Sequence, residues 1–175
     1  MSAGASFALP LFVVAVFLWA AWSYQHKDKW FPAALRKAKL VVVEAEYETV
    51  FDGKQFIGRL DRAYQFADGS LTPMEYKTRG YFRVFETDIA ELSLQAWLLR
   101  AQGMSTVEYG FVVIQHNKSR KRRSFKVRLW DSARCEAQIR RHLALRSQTA
   151  TPSKNKGGKC KSCGHSAVCS QANRG

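Results

Sequence analysis

Residues 55–79 read QFIGRLDRAYQFADGSLTPMEYKTR, and this stretch decides which fold the chain can adopt. Residues 55–66 and 71–79 alternate apolar with polar side chains, a period typical of β-strands. Between them, residues 67–70 (ADGS) are predicted to form a turn, because Asp68, Gly69 and Ser70 are turn-forming residues. The pattern predicts two neighbouring antiparallel strands that carry acidic and basic side chains among their apolar ones.

The residues before this hairpin extend it into a larger sheet. Residues 40–51 (LVVVEAEYETVF) begin as a β-branched run and pass into alternation. Asp52-Gly53 then gives a hairpin turn signal. Residues 40–79 are therefore predicted to form a three-stranded antiparallel meander.

Beyond the meander, the period of the apolar residues changes to that of a helix. We predict a helix over residues 86–102, with Thr87 or Asp88 as its N-cap and Gly103 as its C-cap. Its apolar positions recur every three or four residues, at Ile89, Leu92, Ala96 and Leu99.

The last part of the domain repeats the order of strands followed by helix. Residues 107–115 and 124–130 are strand-like, and a final helix capped by Asp131 or Ser132 runs to about residue 146. Strands, helix, strands and helix in this order predict an α/β or α+β fold, in which helices flank a mixed sheet.

Three charged residues of the central hairpin are candidates for chemistry. Glu75 and Lys77 are two residues apart, so their side chains leave the same face of the strand while Tyr76 points to the other. The short turn allows the carboxylates of Asp61 and Glu75 to converge. Two carboxylates with a backbone carbonyl suit Mg²⁺ or Mn²⁺, and an adjacent lysine can orient water and offset phosphate charge. A Glu-x-Lys pair alone, however, is most often a solvated ion pair.

GRLD at residues 58–61, followed by a turn and by MEYKT at residues 74–78, resembles the PD-(D/E)xK nuclease superfamily. The branch it resembles is the RecB-like one that includes the CRISPR-associated exonucleases, over residues 40 to 169. The resemblance implies a restriction-endonuclease-like fold and metal-dependent hydrolysis of DNA phosphodiester bonds. It also implies that Asp61 and Glu75 bind the metal, that the carbonyl of Tyr76 adds a ligand, and that Lys77 is the catalytic lysine.

The helix after the lysine strand departs from the family pattern. Family members usually carry a glutamine and, four residues later, a tyrosine, whereas ELSLQAWLL places Glu91 and Gln95 at that spacing. Gln95 can still reach the site or stand at the glutamine position itself, so we include it among the predicted catalytic residues. His26 lies too close to the N-terminal apolar run to serve as the upstream metal-binding histidine of many relatives.

Three of the four cysteines form the pattern C-x₂-C-x₅-C, at Cys160, Cys163 and Cys169. Thiolates at this spacing can bind one metal centre, and clustered cysteines in a reducing compartment are more often metal ligands than disulfides. The resemblance to the CRISPR-associated branch implies a [4Fe–4S] cluster, whereas His165 as a ligand would favour Zn²⁺. That branch carries its fourth cysteine upstream of the core. This chain has none there, and we expect Cys135 to be a buried structural thiol.

The chain has a formal net charge of +14, and the excess lies in its last third. Residues 1–115 carry 12 basic and 12 acidic side chains, whereas residues 116–175 carry 16 basic and two acidic ones. The predicted turn HNKSRKRR at residues 116–123 can neutralise DNA phosphates without reading sequence. A solvated surface and attraction to anionic lipid are the alternatives. We predict DNA contacts from Lys118, Arg120, Lys121, Arg122 and Arg123.

The N-terminal residues form a separate apolar segment. No Lys, Arg, Asp or Glu occurs from Ser2 through His26, and residues 7–22 read FALPLFVVAVFLWAAW. With residues 3–6 this gives roughly 20 residues, enough to span a bilayer core. The basic residues that follow, in a juxtamembrane helix or linker at 27–39, predict a cytoplasmic body. A cleaved signal peptide is the alternative, but the basic region that precedes the apolar run of such peptides is missing.

At 175 residues and 46% hydrophobic content, the chain is long enough for one domain with appendages and too apolar for wholesale disorder. We divide it into a transmembrane anchor (1–26), a nuclease-like domain (27–148) and a linker with the cysteine cluster (149–175). The predicted function is a single-pass deoxyribonuclease of the inner or plasma membrane, facing the cytoplasm and dependent on Mg²⁺ or Mn²⁺. The alternatives are a catalytically inactive DNA-binding or assembly module with the same fold, and a tethered metal protein without nucleic acid.

Overall fold

The computed structural model describes residues 12–19, 30–153 and 157–169. The chain divides into two compact units, Met1–Cys135 and Glu136–Gly175. The strands are β1 (Lys39–Phe51), β2 (Lys54–Gln65), β3 (Leu71–Arg79), β4 (Tyr109–His116) and β5 (Arg122–Arg128). The helices are α1 (Glu86–Ala101) and α2 (Ser132–Arg146), with short 3₁₀ segments at Ala33–Leu35, Gly158–Ser162 and Ser166–Val168.

The five strands form one mixed sheet in the order β1-β2-β3-β4-β5. The first three strands form the predicted antiparallel meander. β3 and β4 are parallel and are connected through α1, and β5 pairs antiparallel with β4. The predicted mixed α/β fold is therefore confirmed, with strand bounds that differ from the prediction by two residues or fewer.

The pairing between β2 and β3 is short, and this positions the charged residues. Four residue pairs join the strands, from Gln65 opposite Leu71 to Arg62 opposite Met74. β2 continues beyond Arg62 in its pairing with β1, whereas β3 continues beyond Met74 in its pairing with β4. Asp61 and Glu75 are the next residues on the two strands, so they lie where β2 and β3 separate.

Helix α1 packs closely on one face of the sheet. Its buried Leu92 and Ala96 lie in one cluster with Val112 and Ile114 of β4. A Cβ atom at Gly110 would lie 2.7 Å from Cδ2 of Leu92 and 3.0 Å from the carbonyl oxygen of Pro73, so glycine favours this close packing of helix and sheet. The close approach brings polar side chains of α1 within hydrogen-bonding distance of β3.

The opposite face of the sheet is covered by residues 30–38. Leu35, which is 1% exposed, packs with Tyr64 and Met74, and Trp30 and Phe31 surround this cluster. Of the juxtamembrane helix or linker expected over 27–39, the described part contains one short 3₁₀ helix, Ala33–Leu35, and it packs into the core instead of linking an anchor to the domain. These residues belong to the core because their aromatic side chains bury the apolar face of β3 and β4.

The start of α1 also differs from the prediction. The N-cap is Phe85, two residues before the first of the predicted candidates, Thr87 and Asp88. Asp88 instead occupies the third helical position, where its carboxylate accepts a hydrogen bond from the Phe85 amide at 2.8 Å. The C-cap is Gln102, one residue before the predicted Gly103, which follows α1 with a φ of 77°.

The N-terminal apolar segment is described only in part. Residues 12–19 are helical, and their apolar side chains are exposed. Among the described residues, no helix combines the length and apolar character needed to cross a membrane. The remainder of the predicted anchor, residues 1–11 and 20–26, lies outside the described residues.

Candidate active site

The structure brings together the four predicted catalytic side chains, from β2, β3 and α1. Glu75 lies at the centre, with 6% of its side chain exposed. Its Oε1 accepts a hydrogen bond from Nζ of Lys77 at 2.7 Å, and its Oε2 accepts one from Nε2 of Gln95 at 2.7 Å. The alternation of β3 and the helical period of α1 thus place these three side chains on one side of the sheet.

Asp61 joins the group from the neighbouring strand. Its Oδ2 accepts a hydrogen bond from the backbone amide of Tyr76 at 2.8 Å. The carboxylate thereby bonds a β3 amide just past the point where backbone pairing with β2 ends. The predicted convergence of Asp61 with Glu75 follows from this arrangement, and the Asp61 charge contributes to the electrostatics of Glu75.

Burial dominates the ionisation of Glu75. It raises the pKa of the carboxyl above its ordinary value, and the nearby Asp61 charge adds to the rise. Hydrogen bonds from Lys77 and Gln95 act in the opposite direction without cancelling it. A buried carboxylate of this kind gains from a cation beyond the one that Lys77 provides.

Lys77 is held as a cation by two carboxylates. Burial lowers the pKa of Lys77, but hydrogen bonds to Glu75 and Glu91 outweigh that effect and raise the pKa overall. Nζ lies 2.7 Å from Oε1 of Glu75 and 2.8 Å from Oε2 of Glu91. In this arrangement Lys77 supplies positive charge and hydrogen bonds rather than accepting a proton.

Gln95 carries the unsatisfied polar atom of the site. Its Nε2 bonds Glu75 and, at 3.3 Å, the carbonyl oxygen of Arg59. Its Oε1 is buried and has no hydrogen-bond partner among the described residues. Since a buried acceptor without a donor is costly, Oε1 fits a donor supplied by a bound water or by substrate.

The donor set fits a hard divalent cation. Nowhere in the described residues do three His, Cys, Asp or Glu side chains come together as a metal site. Two carboxylates suffice for Mg²⁺, because this ion keeps several waters and binds phosphate oxygens. The unsatisfied Gln95 oxygen beside Glu75 is compatible with such a bound water.

A model of the PD-(D/E)XK nuclease superfamily matches residues 13–170. The chain belongs to this superfamily. Its members are generally nucleases and typically use divalent metals such as Mg²⁺ or Mn²⁺. Membership supports the restriction-endonuclease-like type of fold that the sequence predicts, and it supports nuclease activity.

Solved structures show the same fold at low sequence identity. The crystal structure of SSO0001 aligns over 92% of this chain and 71% of that chain, with a TM-score of 0.50 and 19% identity. At this identity the similarity shows the fold alone. No curated protein matches the chain.

Tyr76 stabilises the PD-(D/E)XK strand from its opposite face. Its hydroxyl accepts a hydrogen bond from Nη1 of Arg62 at 3.1 Å, and the Arg62 guanidinium lies 4.8 Å from the ring centroid. Trp30 packs against the same ring with centroids 6.3 Å apart. These contacts fix the backbone between Glu75 and Lys77. The carbonyl of Tyr76, which lies in this backbone, is the third predicted metal ligand.

Glu91 is the residue of the PD-(D/E)XK site that the sequence prediction left without a role. In one of the two alignments of this helix with the family pattern it stands where family members usually carry a glutamine, and it contacts Nζ of Lys77 directly. Glu91 and Gln95 are four residues apart, so both side chains lie on one face of α1. This spacing is the sequence signal that places Glu91 at the site. The resemblance to the family gives Glu91 no role, because it treats this residue as a deviation from the family pattern.

The basic turn, residues 117–121, lies at the same end of the PD-(D/E)XK sheet as the residues that follow Lys77. β3 and β4 run parallel with Arg79 opposite His116, so both chains leave the sheet together. The predicted DNA-binding side chains are exposed, and none forms an ion pair with a carboxylate of a described residue. They are Lys118, Arg120, Lys121, Arg122 and Arg123.

The cysteines of this PD-(D/E)XK protein lie in different settings, and none forms a disulfide. Cys135 is 0% exposed, with Sγ 3.5 Å from the carbonyl oxygen of Ser93, so the predicted buried thiol is confirmed. Cys160, Cys163 and Cys169 lie in and beside the short 3₁₀ segments of the second unit. Within the described residues they do not assemble into a three-donor group.

Proposed function

We propose that this protein is a Mg²⁺- or Mn²⁺-dependent deoxyribonuclease that hydrolyses phosphodiester bonds. The observation that carries the proposal is the arrangement around Glu75, which contacts Lys77 and Gln95 beside Asp61 where two strands separate. Superfamily membership supports the reaction type. The pattern of the sequence supports assignment to the RecB-like branch with the CRISPR-associated exonucleases.

Asp61 and Glu75 would hold the divalent cation, and the carbonyl of Tyr76 would complete the protein ligands. Such an ion polarises a phosphoryl oxygen and lowers the pKa of a bound water. Gln95 fixes the orientation of the Glu75 carboxylate through its 2.7 Å hydrogen bond. The chain thereby presents its carboxylates in a preorganised form.

Lys77 acts on the phosphate and the water through its charge. Because it is held protonated, it can hydrogen-bond the attacking water and offset negative charge on the phosphate. Glu91 shares the Lys77 ammonium with Glu75 and restrains its position. The exposed basic side chains of residues 118–123 would neutralise the DNA backbone beside this centre.

The test is cleavage of labelled DNA by full-length protein purified in detergent, with Mn²⁺ or Mg²⁺. We expect cleavage by the parent and a loss of about 10²–10³-fold in kcat for Lys77→Ala. The matched control is Lys54→Ala, an exposed lysine of β2. DNA binding without cleavage by the parent would instead support the inactive binding module.

We further propose that Cys160, Cys163 and Cys169 bind a metal centre, a [4Fe–4S] cluster or else Zn²⁺. Support comes from their spacing and from the RecB-like pattern of the chain. Anaerobic purification followed by iron, sulfide and zinc analysis decides between the two metals. Equal metal content in the parent and in Cys163→Ser, with neither metal lost, would refute the assignment.

We also propose that the N-terminal segment anchors the protein in the inner or plasma membrane, with the nuclease domain cytoplasmic. Support comes from the uncharged residues 2–26 and the basic residues that follow. The full chain should stay in the membrane fraction after a carbonate wash, and its C-terminus should be protected from external protease. Release of the protein by carbonate would contradict the anchor.

A further inference from the structure

We propose that the loop formed by residues 80–85 and the basic turn form one surface that binds an unpaired DNA nucleotide, with Tyr81 stacked on its base. This inference rests on the proposed DNA substrate, and it adds that the site binds single-stranded DNA. The loop connects the strand that carries Lys77 to the helix that carries Glu91 and Gln95, so it joins two elements of the proposed catalytic centre.

The loop is held in a defined conformation. Arg79 forms an ion pair with the buried Asp88, through Nη1 at 2.8 Å and through Nη2, and Nη1 also donates to the carbonyl oxygen of Arg83 at 3.0 Å. The Asp88 carboxylate in turn accepts a hydrogen bond from the Phe85 amide. The backbone of the loop is thus fixed at both ends by one buried ion pair.

Tyr81 is the exposed aromatic side chain of this fixed loop. It is 56% exposed although its ring contacts Phe85, at a centroid distance of 6.0 Å and an interplanar angle of 83°. An edge-to-face contact of this kind fixes the ring while much of its surface faces solvent. A preorganised tyrosine provides contact area for a ligand at little cost in side-chain entropy.

Positive charge lies in the same loop as this aromatic side chain and in the adjacent basic turn. Arg83 is exposed, with its guanidinium 5.3 Å from the Phe85 ring centroid, and it has no carboxylate partner among the described residues. The basic turn adds unpaired lysine and arginine side chains. Cations without carboxylates beside an exposed aromatic ring match the combination that binds single-stranded nucleic acid, in which phosphates and bases are contacted in parallel.

Direct contacts join the loop and the end of β3 to the basic turn and to the strand ends that flank it. The Asn117 amide donates to the carbonyl oxygen of Arg79 at 2.9 Å. Phe82 packs against the His116 ring at 5.8 Å, and the Arg123 guanidinium lies 4.6 Å from the Phe82 centroid. The loop and the basic turn are therefore adjacent at this end of the sheet, which would let a strand held by the turn reach the tyrosine.

Stacking on Tyr81 requires a base whose face is free. In a duplex each base is stacked on its neighbours, whereas a single strand or a frayed end offers unpaired bases. The tyrosine should therefore add affinity for single-stranded DNA selectively. The charges should add affinity for both forms, because phosphates are present in both.

The test is fluorescence anisotropy with full-length protein in detergent and EDTA, on a labelled oligothymidylate and on a duplex of equal length. Tyr81→Ala should weaken single-strand binding about tenfold, since alanine substitution removes the stacking ring. Duplex binding should stay within about twofold, because a paired base gives the ring no free face. Tyr81→Phe should restore the parent value, and Val50→Ala, an exposed apolar position of β1, is the matched control.

Two outcomes would overturn the inference. One is single-strand affinity unchanged in Tyr81→Ala, and the other is an equal loss for both DNA forms. Because binding is measured without metal, the result is independent of catalysis. A parent that binds but does not cleave would refute the nuclease proposal alone, whereas a cleaving enzyme indifferent to Tyr81→Ala would refute this inference alone.

Discussion

The cations of β3 and those of the basic turn belong to the same residue types but occupy opposite environments. Lys77 and Arg79 are largely buried, with side chains 22% and 18% exposed, and each pairs with carboxylates. Lys118, Arg120 and Lys121 are exposed and have no carboxylate partner among the described residues. Paired, buried cations fix geometry and support chemistry, whereas unpaired, exposed ones are available to an anionic ligand. Each prediction below tests one side of this contrast.

Removing a paired cation should have the largest effect on stability. Arg79→Ala would leave the carboxylate of Asp88 buried and uncompensated, so we expect a loss of about 3 kcal/mol in the free energy of unfolding. Denaturant titration measures this loss. Arg83→Ala, which removes an exposed arginine of the same loop, serves as control. A loss below that of the control would show that the buried pair does not hold the loop.

Weakening the restraint on Lys77 should affect catalysis rather than binding. Glu91→Ala removes one of the two carboxylates that hold its ammonium, and we expect a fall of about tenfold in kcat with unchanged DNA affinity. Glu91→Gln, which keeps a hydrogen-bond acceptor, should recover part of the activity. Single-turnover kinetics give the comparison with Glu86→Ala, an exposed glutamate at the start of the same helix. Parent-like turnover in Glu91→Ala would exclude a positioning role.

Neutralising the unpaired cations should change the salt dependence of binding. In a variant with Lys118, Arg120 and Lys121 replaced by alanine, the slope of log K against log salt should become shallower. The expected change is about 0.9 for each duplex phosphate that the variant no longer neutralises. Turnover at saturating DNA should stay near the parent value. Anisotropy titrations at several salt concentrations measure the slope. An unchanged slope would show that the turn is a solvated surface that does not contact DNA phosphates.

The smallest expected effect is a pH-dependent change in stability at Glu75. Its pKa is raised in the folded state, mainly by burial, so the folded protein binds the proton more tightly than the unfolded chain. This contribution favours the fold at low pH and is lost as the pH rises from the ordinary glutamate pKa through the raised one. Glu75→Gln should therefore increase Tm, relative to the parent, more at about pH 8 than at about pH 4.

The measurement is thermal unfolding in EDTA at both pH values. A Tm difference between the two proteins that is independent of pH would contradict the assigned direction. If Glu75 has the proposed metal-binding role, this pH dependence measures the stability that the protein gives up for it.

Much of the fold was predictable, because strand and helix periods are local properties of the chain. Asp61, Glu75 and Lys77 were predictable as well, since the alternation of two adjacent strands places them together. The roles proposed for them stay predictions. Glu91 received no role, because its contact with Lys77 crosses 14 residues and joins a helix to a strand. For the same reason the sequence does not predict the Arg79–Asp88 ion pair, and it offers Asp88 only as a candidate N-cap.

Residues 30–38 show a different limit. The basic residues within 27–39 suggest a linker. In the structure, however, Trp30, Phe31 and Leu35 cover an apolar face formed by β2, β3 and β4. A covering segment has no period of its own, because its conformation is set by the surface beneath it. Which aromatic residues cover the sheet therefore depends on contacts among strands that are distant in sequence.

The hydrogen bond between the Tyr76 amide and the Asp61 carboxylate makes one backbone proton a spectroscopic probe of the site. A cation that draws on the charge of this carboxylate would alter the chemical shift of the Tyr76 amide proton and its exchange with solvent. A titration with diamagnetic Mg²⁺, followed on ¹⁵N-labelled protein, would then report occupancy at the strand separation without DNA or turnover. The Tyr76 amide signal of Asp61→Asn, which keeps a side-chain oxygen but loses the charge, is the comparison. It would distinguish loss of the bound ion from loss of the hydrogen bond between the two strands.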